Sequence, residues 1–233
     1  MSLDDLLRQH PTLWRAQEQG GPTVAPPGLP TGFAALDRCL PGGGWPQQGL
    51  IEILTDRHGI GELSLLMPAL AMLCRSNEDG RGSSGGWLTW VAPPYQPYAP
   101  ALAASGIDVQ RVLVVRAAAP AEWAMEQALR SEACSAVLGW ANPREMTMLR
   151  RLQLAAEQSR CLAVLFRPVQ AGQQPSPAVL RIELQASREG LQVRVVKSRG
   201  GRPACVQLGH LGAPWQFQQP LPQSPRQPAP FAH

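Results

Sequence analysis

The residues best placed to do chemistry lie between positions 56 and 63: Asp56, Gly59, Gly61, Glu62 and Leu63. They follow an apolar run, Leu50-Ile51-Glu52-Ile53-Leu54, that reads as a buried strand opened by Gly49. They lead into a segment, Glu62 to Cys74, that reads as a helix. A strand that enters a helix through a glycine turn presents backbone N–H groups and a helix N-terminus together, the arrangement that cradles phosphate. The full pattern is glycine, four residues, then Gly-Lys-Ser/Thr, where the lysine reaches the β- and γ-phosphates and the hydroxyl holds Mg²⁺. With the second glycine set on Gly61, Asp56 stands at the first glycine, Glu62 at the lysine and Leu63 at the magnesium ligand. Glu62 would repel a triphosphate, and Lys197 is the only lysine in the chain. Arg57 and His58 lie inside the turn, where neither has the lysine's geometry. The expectation is a structural turn without nucleotide: no cofactor, no metal and no catalytic residue.

The elements that must position this turn can be read along the chain. Trp87 to Val91, Val112 to Arg116, Ala136 to Trp140 and Cys161 to Phe166 are short apolar strands. Between them lie helices over Tyr98 to Ser105, Glu122 to Arg130 and a segment starting at Asn142-Pro143, with Asn142 as N-cap and Pro143 at the first helical position. Leu180 to Leu184 and Leu191 to Val195 alternate apolar and polar residues, and Glu189-Gly190 between them predicts a β-hairpin. Strands alternating with helices argue for an α/β fold with a mostly parallel central sheet flanked by helices, closed by a C-terminal hairpin.

Three units are expected: residues 1–28 as a helical arm and linker, 29–212 as the core domain, and 213–233 as a Pro/Gln-rich disordered tail. In the arm, Leu3, Leu6 and Leu7 form one apolar face and Trp14 adds an aromatic anchor, before a Gly/Pro-rich linker. These four residues are candidates for a partner contact. Arg150 and Arg151, on the outer side of the helix after Asn142, are the other candidates.

Bulk composition narrows the classes. The chain has 233 residues, 44% of them hydrophobic, and a net charge of +4 carried by scattered arginines. That balance permits weak contact with nucleic acid without demanding it, so DNA is expected to be an indirect ligand. Five cysteines occur without any C-x-x-C spacing, which points to reduced thiols and away from zinc or a disulfide framework. No apolar run approaches the roughly 20 residues that span a bilayer, and the expected location is the cytoplasm, away from membranes.

The order Pro30-Thr31-Gly32, short helix with Asp37, Gly42-Gly43-Gly44, Trp45-Pro46, Gly49, strand, glycine turn, helix resembles the start of the RecA recombinase core. The phrases LPTGFAALD, GGGWP, GIGELSLL, WVAPPYQPYAPAL and EQALRS are similar to ImuA, a RecA-like accessory family of bacterial translesion synthesis. The resemblance spans Leu13 to Leu208 and implies a RecA-like, P-loop-type core with a degenerate nucleotide site. It places the water-activating glutamate of such cores near Pro94 and their magnesium-holding aspartate at Gly139 or Trp140, where no carboxylate stands. Two long DNA-holding loops of the recombinases correspond to Ala141-Asn142-Pro143 and to Arg167 to Pro177, which are short.

The implied role is a non-catalytic partner of an ImuB-type, Y-family-polymerase-like protein and an error-prone replicative-type DNA polymerase, induced by the SOS response. Self-association or contact with RecA is compatible with it. Two alternatives stand beside this reading: a division inhibitor like SulA, which has a related reduced fold and binds FtsZ, and a divergent ATPase or recombinase regulator.

Overall fold

The computed structural model describes residues 26–75, 86–116 and 120–211. Each short apolar run flanked by glycine or proline becomes a strand. The elements in order are α1 (Ala34–Asp37), β1 (Leu50–Leu54), α2 (Met67–Arg75), β2 (Trp87–Val91), α3 (Ala99–Ala104), β3 (Val112–Val115), α4 (Ala121–Arg130), β4 (Cys134–Trp140), α5 (Met146–Gln158), β5 (Leu162–Arg167), β6 (Leu180–Ser187), β7 (Gly190–Ser198) and β8 (Ala204–Leu208). The strands form one eight-stranded sheet in the order β3-β2-β4-β5-β1-β6-β7-β8. Six of them, β3 through β6 in that order, run parallel, while β7 and β8 add antiparallel pairings. Buried side chains of α1, α2 and α3 pack with one face of the sheet, through Leu36, Leu70, Leu102, Trp90, Leu138 and Ile53. Those of α4 and α5 pack with the other, through Met125, Leu129, Leu152, Val137 and Leu165. Burial on both faces is why the central strands read as continuous apolar runs. The protein is thus a mixed α/β fold with flanking helices.

Several sequence boundaries move for identifiable reasons. The helix expected from Glu62 begins only at Met67, with residues 61–66 in turns. Pro68 has no N–H to give to Ser64, so it sits in the first helical turn and fixes the start there. The helix expected from Asn142-Pro143 begins at Met146, with Glu145 as its N-cap residue. The Asn142 side chain and the Pro143 carbonyl both accept from the Arg167 guanidinium instead (3.1 and 3.0 Å). The hairpin of β6 and β7 forms with a tight connection, Ser187 opposite Gly190. The alternation expected for Leu180 to Leu184 does not give a solvated face, however, since Arg181 and Glu183 are buried like their apolar neighbours. The strand β8 is an addition that the sequence did not announce.

Close packing accounts for Gly42 and Gly44 of the glycine run, while Gly43 stands in open space at a positive φ of 73°. Leu29 and Trp45 form an antiparallel bridge, with N–H···O distances of 2.8 and 2.7 Å. A Cβ on Gly44 would sit 2.2 Å from the Leu29 carbonyl oxygen. The bridge brings the fully buried Trp45 into the core, and Asp37 Oδ1 accepts from the Thr31 N–H (2.9 Å) to close the same segment. Gly44→Ala must therefore open the bridge, at a cost of about 1–3 kcal/mol. Gly209, with nothing near its Cβ position, serves as the comparison. The urea midpoint is expected to fall for Gly44→Ala and to stay within error for Gly209→Ala; equal midpoints would refute the packing account.

The expected thiol chemistry fits the burial pattern among the described residues. Cys74 and Cys161 are buried, Cys39 and Cys134 half-buried and Cys205 exposed, all unbridged. Burial pushes the Cys161 thiol up to about 11, against the lowering effect of its hydrogen bond with Ser159. Among the described residues no helix is long and apolar enough to cross a membrane.

Candidate functional site

The parallel strands β1, β2, β4 and β5 end along one edge of the sheet, and the loops leaving them enclose a crevice of about 360 Å³. Open α/β sheets hold ligands at this edge. Its lining combines Thr55, Asp56 and His58 from the turn after β1, Pro94 from the loop after β2, Trp140, Ala141 and Asn142 at the end of β4, and Phe166, Arg167 and Pro168 at the end of β5. Asp56, Pro94 and Trp140, picked from the sequence at distant positions, therefore meet at one place.

The turn itself is closed on an internal anion. The Glu62 carboxylate accepts the Gly59 N–H at 2.8 Å and the Ile60 N–H at 3.0 Å. Glu62 is only 2% exposed, and Leu63 points into the core. Amides that could have received a phosphate are thus occupied by the side chain standing where the phosphate lysine would be. Asp56 is used structurally as well: its Oδ1 accepts from the Val169 N–H (2.9 Å), tying the turn to the loop after β5. His58 meets Tyr95 edge-on, with ring centroids 6.0 Å apart.

Behind the crevice lies a buried ionic cluster that the sequence reading missed. Glu52, in the middle of β1, is fully buried. Its two oxygens receive Arg167 Nη1 (3.1 Å) and Arg181 Nε (2.7 Å), and Ser176 Oγ adds a bond of 2.7 Å. Glu52 is paired with Arg181 in register across β1 and β6, and Arg167 follows from the neighbouring β5. The remaining Arg181 donors reach the carbonyls of Ala171 (2.8 Å) and Gln174 (2.9 Å). Ala171 belongs to a 3-10 turn, Val169–Gln173, in the loop after β5, and Gln174 is its C-cap residue. The loop expected to correspond to a recombinase DNA loop is in fact held down by an arginine from the sheet beneath it. The same surroundings affect Lys197: burial first, then the neighbouring Arg181 and Arg199, lower its pKa against the opposing pull of Glu52. A signal for this cluster did exist in the sequence, namely single charges of opposite sign inside apolar strands, Glu52 in LIEIL and Arg181 in LRIEL.

The arginine candidates on α5 lie elsewhere. Arg151 is committed to the buried Glu126 of α4 through Nη2 (2.6 Å) and Nε (3.3 Å), and Arg130 joins the same carboxylate. It fastens α4 to α5 while its own side chain stays half exposed on the outer side of the helix, as expected. Arg150 is exposed and makes no such pair among the described residues. Leu3, Leu6, Leu7 and Trp14 lie outside the described residues, as do the tail from 212 onward and the start of the arm.

Comparison with known proteins places the chain. It is 36% identical over 125 residues to the cell division inhibitor SulA of Edwardsiella piscicida, covering 53% of this chain and 70% of that protein. It is also 29% identical over 235 aligned positions to Protein ImuA of Caulobacter vibrioides, covering 87% of this chain and 93% of that one. The chain belongs to the ImuA/SulA-related family. The family model described as cell division inhibitor SulA matches residues 55–163, which run from the first residue of the turn to the start of β5. Asp56, Pro94 and Trp140 of the crevice edge fall inside the matched span, while Phe166, Arg167 and Pro168, Leu29 to Trp45 and the hairpin lie outside it. Among solved structures, SulA from Pseudomonas aeruginosa aligns with 51% of this chain and 97% of its own length, at 24% identity and a TM-score of 0.40.

Proposed function

We propose that this chain is a non-catalytic, RecA-like accessory protein of SOS-induced translesion DNA synthesis, and that it bridges or stabilises an error-prone polymerase complex through protein contacts. The observation that carries the reading is the Glu62 carboxylate on the Gly59 and Ile60 amides. A turn that satisfies its own donors has no use for a triphosphate, and the edge around it offers Pro94 and Trp140 where hydrolysis needs carboxylates. The parallel strands ending at a common crevice support descent from a RecA-like core. The likeness to ImuA extends over 87% of the chain, which favours the translesion role and partners of the ImuB type together with an error-prone replicative-type polymerase. DNA contact is then made by the assembly.

A second reading has its own support. The likeness to SulA and the family model matching residues 55–163 favour inhibition of cell division through FtsZ. The two readings separate in one experiment: tagged full-length protein offered purified ImuB-type protein and FtsZ in parallel. Retention of the first alone is expected, and retention of FtsZ alone would replace the translesion reading. In the same assay Leu6→Asp with Trp14→Ala is expected to abolish retention while leaving the protein folded and monodisperse. Full retention would remove the arm from the interface. Calorimetric titration with millimolar Mg-ATP is expected to be flat, and a saturable heat would restore the ATPase alternative.

A further inference from the structure

The crevice has lost the features that hold an anion and gained those that hold a ring. Trp140 stacks on Phe166 with centroids 4.6 Å apart and planes 10° from parallel, and Trp90 follows at 5.9 Å in the same row. Pro94, Ala141 and Pro168 complete an apolar wall. The charged groups and turn amides around it are already engaged: Arg167 with Asn142, Pro143 and Glu52, Asp56 with Val169, and the amides with Glu62, while the buried Trp140 Nε1 has no hydrogen-bond partner among the described residues. A volume of about 360 Å³ lies near the small end of the range for ligand pockets, roughly 300–1,000 Å³. An uncharged aromatic side chain is the occupant such a wall accommodates.

The chain brings one there. Because β8 runs antiparallel to β7, and β7 to β6, β8 ends at the same edge of the sheet as β1, β2, β4 and β5. Leu211 packs against the core just beyond, and a Cβ on Gly61 would lie 3.6 Å from its Cδ1. His58, which lines the crevice, is three residues from Gly61, at most about 10 Å along the chain. Trp215 is four residues from Leu211, a reach of up to about 14 Å. Residues 212–217, Gly-Ala-Pro-Trp-Gln-Phe, carry no charge, and Pro214 limits the conformational freedom lost on docking. We propose that the crevice at the ends of β1, β2, β4 and β5 is a docking pocket for an aromatic side chain, and that Trp215 of the chain's own C-terminal segment fills it. The proposal stands independently of which partner the family reading assigns, and it anchors only the start of a segment whose composition otherwise argues for disorder.

The test uses the full chain labelled with ¹⁵N and reads the indole N–H signals of its seven tryptophans, assigned with Trp215→Phe and Trp140→Phe. The Trp215 signal is expected to be displaced from its position in the free peptide Gly-Ala-Pro-Trp-Gln-Phe. Its relaxation by a dissolved gadolinium chelate should be at least five-fold weaker than in that peptide. Trp215→Ala should move the Trp140 signal, and Phe217→Ala should not. A Trp215 signal coincident with that of the free peptide and equally relaxed overturns the proposal, as does a Trp140 signal unmoved by Trp215→Ala. Protection that disappears on dilution would assign the pocket to a second copy and equally overturn it. His58→Trp, a change on an exposed part of the turn, fills the mouth of the crevice and should release Trp215 while the fold stays intact.

Discussion

Arg181→Ala is expected to lower the thermal midpoint by roughly 6–20 °C, the largest effect of any single truncation in the described sheet. Removing one partner of a buried ion pair costs about 3–5 kcal/mol; here Glu52 keeps Arg167 and Ser176 on one oxygen, and what is lost is the Arg181 bond to the other together with its two carbonyl contacts. For a chain of this size each 1 kcal/mol is worth about 2–4 °C. Arg181 is 5% exposed and Glu52 fully buried, so water has little access to the carboxylate oxygen that loses Arg181. The same substitution frees the carbonyls of Ala171 and Gln174, so the loop after β5 should also lose its protection from amide hydrogen exchange. Differential scanning calorimetry and exchange mass spectrometry read the two effects separately. A midpoint shifted by less than about 2 °C would mean that the cluster is solvated and carries little stability. The exposed pair of Arg199 and Glu157 provides the contrast: Arg199→Ala is expected to be nearly silent, as surface pairs are worth about 0–1 kcal/mol.

The second large effect comes from the attempt to rebuild a nucleotide site. Glu62→Lys with Leu63→Thr writes the phosphate lysine and a magnesium hydroxyl back into the turn, and it is expected to unfold the protein without producing turnover. The lysine would place an ammonium where the side chain is 2% exposed. The Gly59 and Ile60 amides would also lose their acceptor, a loss that water can make good at the exposed Gly59. Truncating the buried Leu63 adds a loss of the kind that costs about 2–5 kcal/mol in a packed core. Together these approach the whole margin of about 5–15 kcal/mol that keeps a typical domain folded. Far-ultraviolet circular dichroism at 37 °C and phosphate release from Mg-ATP are the two readouts. A folded double variant that hydrolyses ATP would show that Pro94 and Trp140 do not occupy the catalytic positions.

At both sites local pattern ends and tertiary structure begins. By itself the sequence determined the strands β1, β2, β4 and β5, the glycine turn with its missing lysine, and the β6–β7 hairpin. Each of these is encoded within a few residues, by apolar runs, glycine placement or period-two alternation. The meeting of Asp56, Pro94 and Trp140 was also foreseeable, once parallel strands were assigned to a common edge. Only the tertiary structure decided the rest. The starts of α2 and α5 depended on Pro68 and on Arg167 taking Asn142 and Pro143, and the second of these contacts spans 24 or 25 residues. The reading of Arg151 depended on Glu126, 25 positions away. Glu52 found its two arginines 115 and 129 residues along the chain, across strands whose neighbours are fixed by the sheet order and not by the sequence order. A charge inside an apolar strand is legible as an oddity. Which opposite charge desolvates with it, and which loop the pair then holds, follows only when the strands are laid side by side, because Coulomb pairing and carbonyl capture act through space at 3 Å and leave no period in the chain.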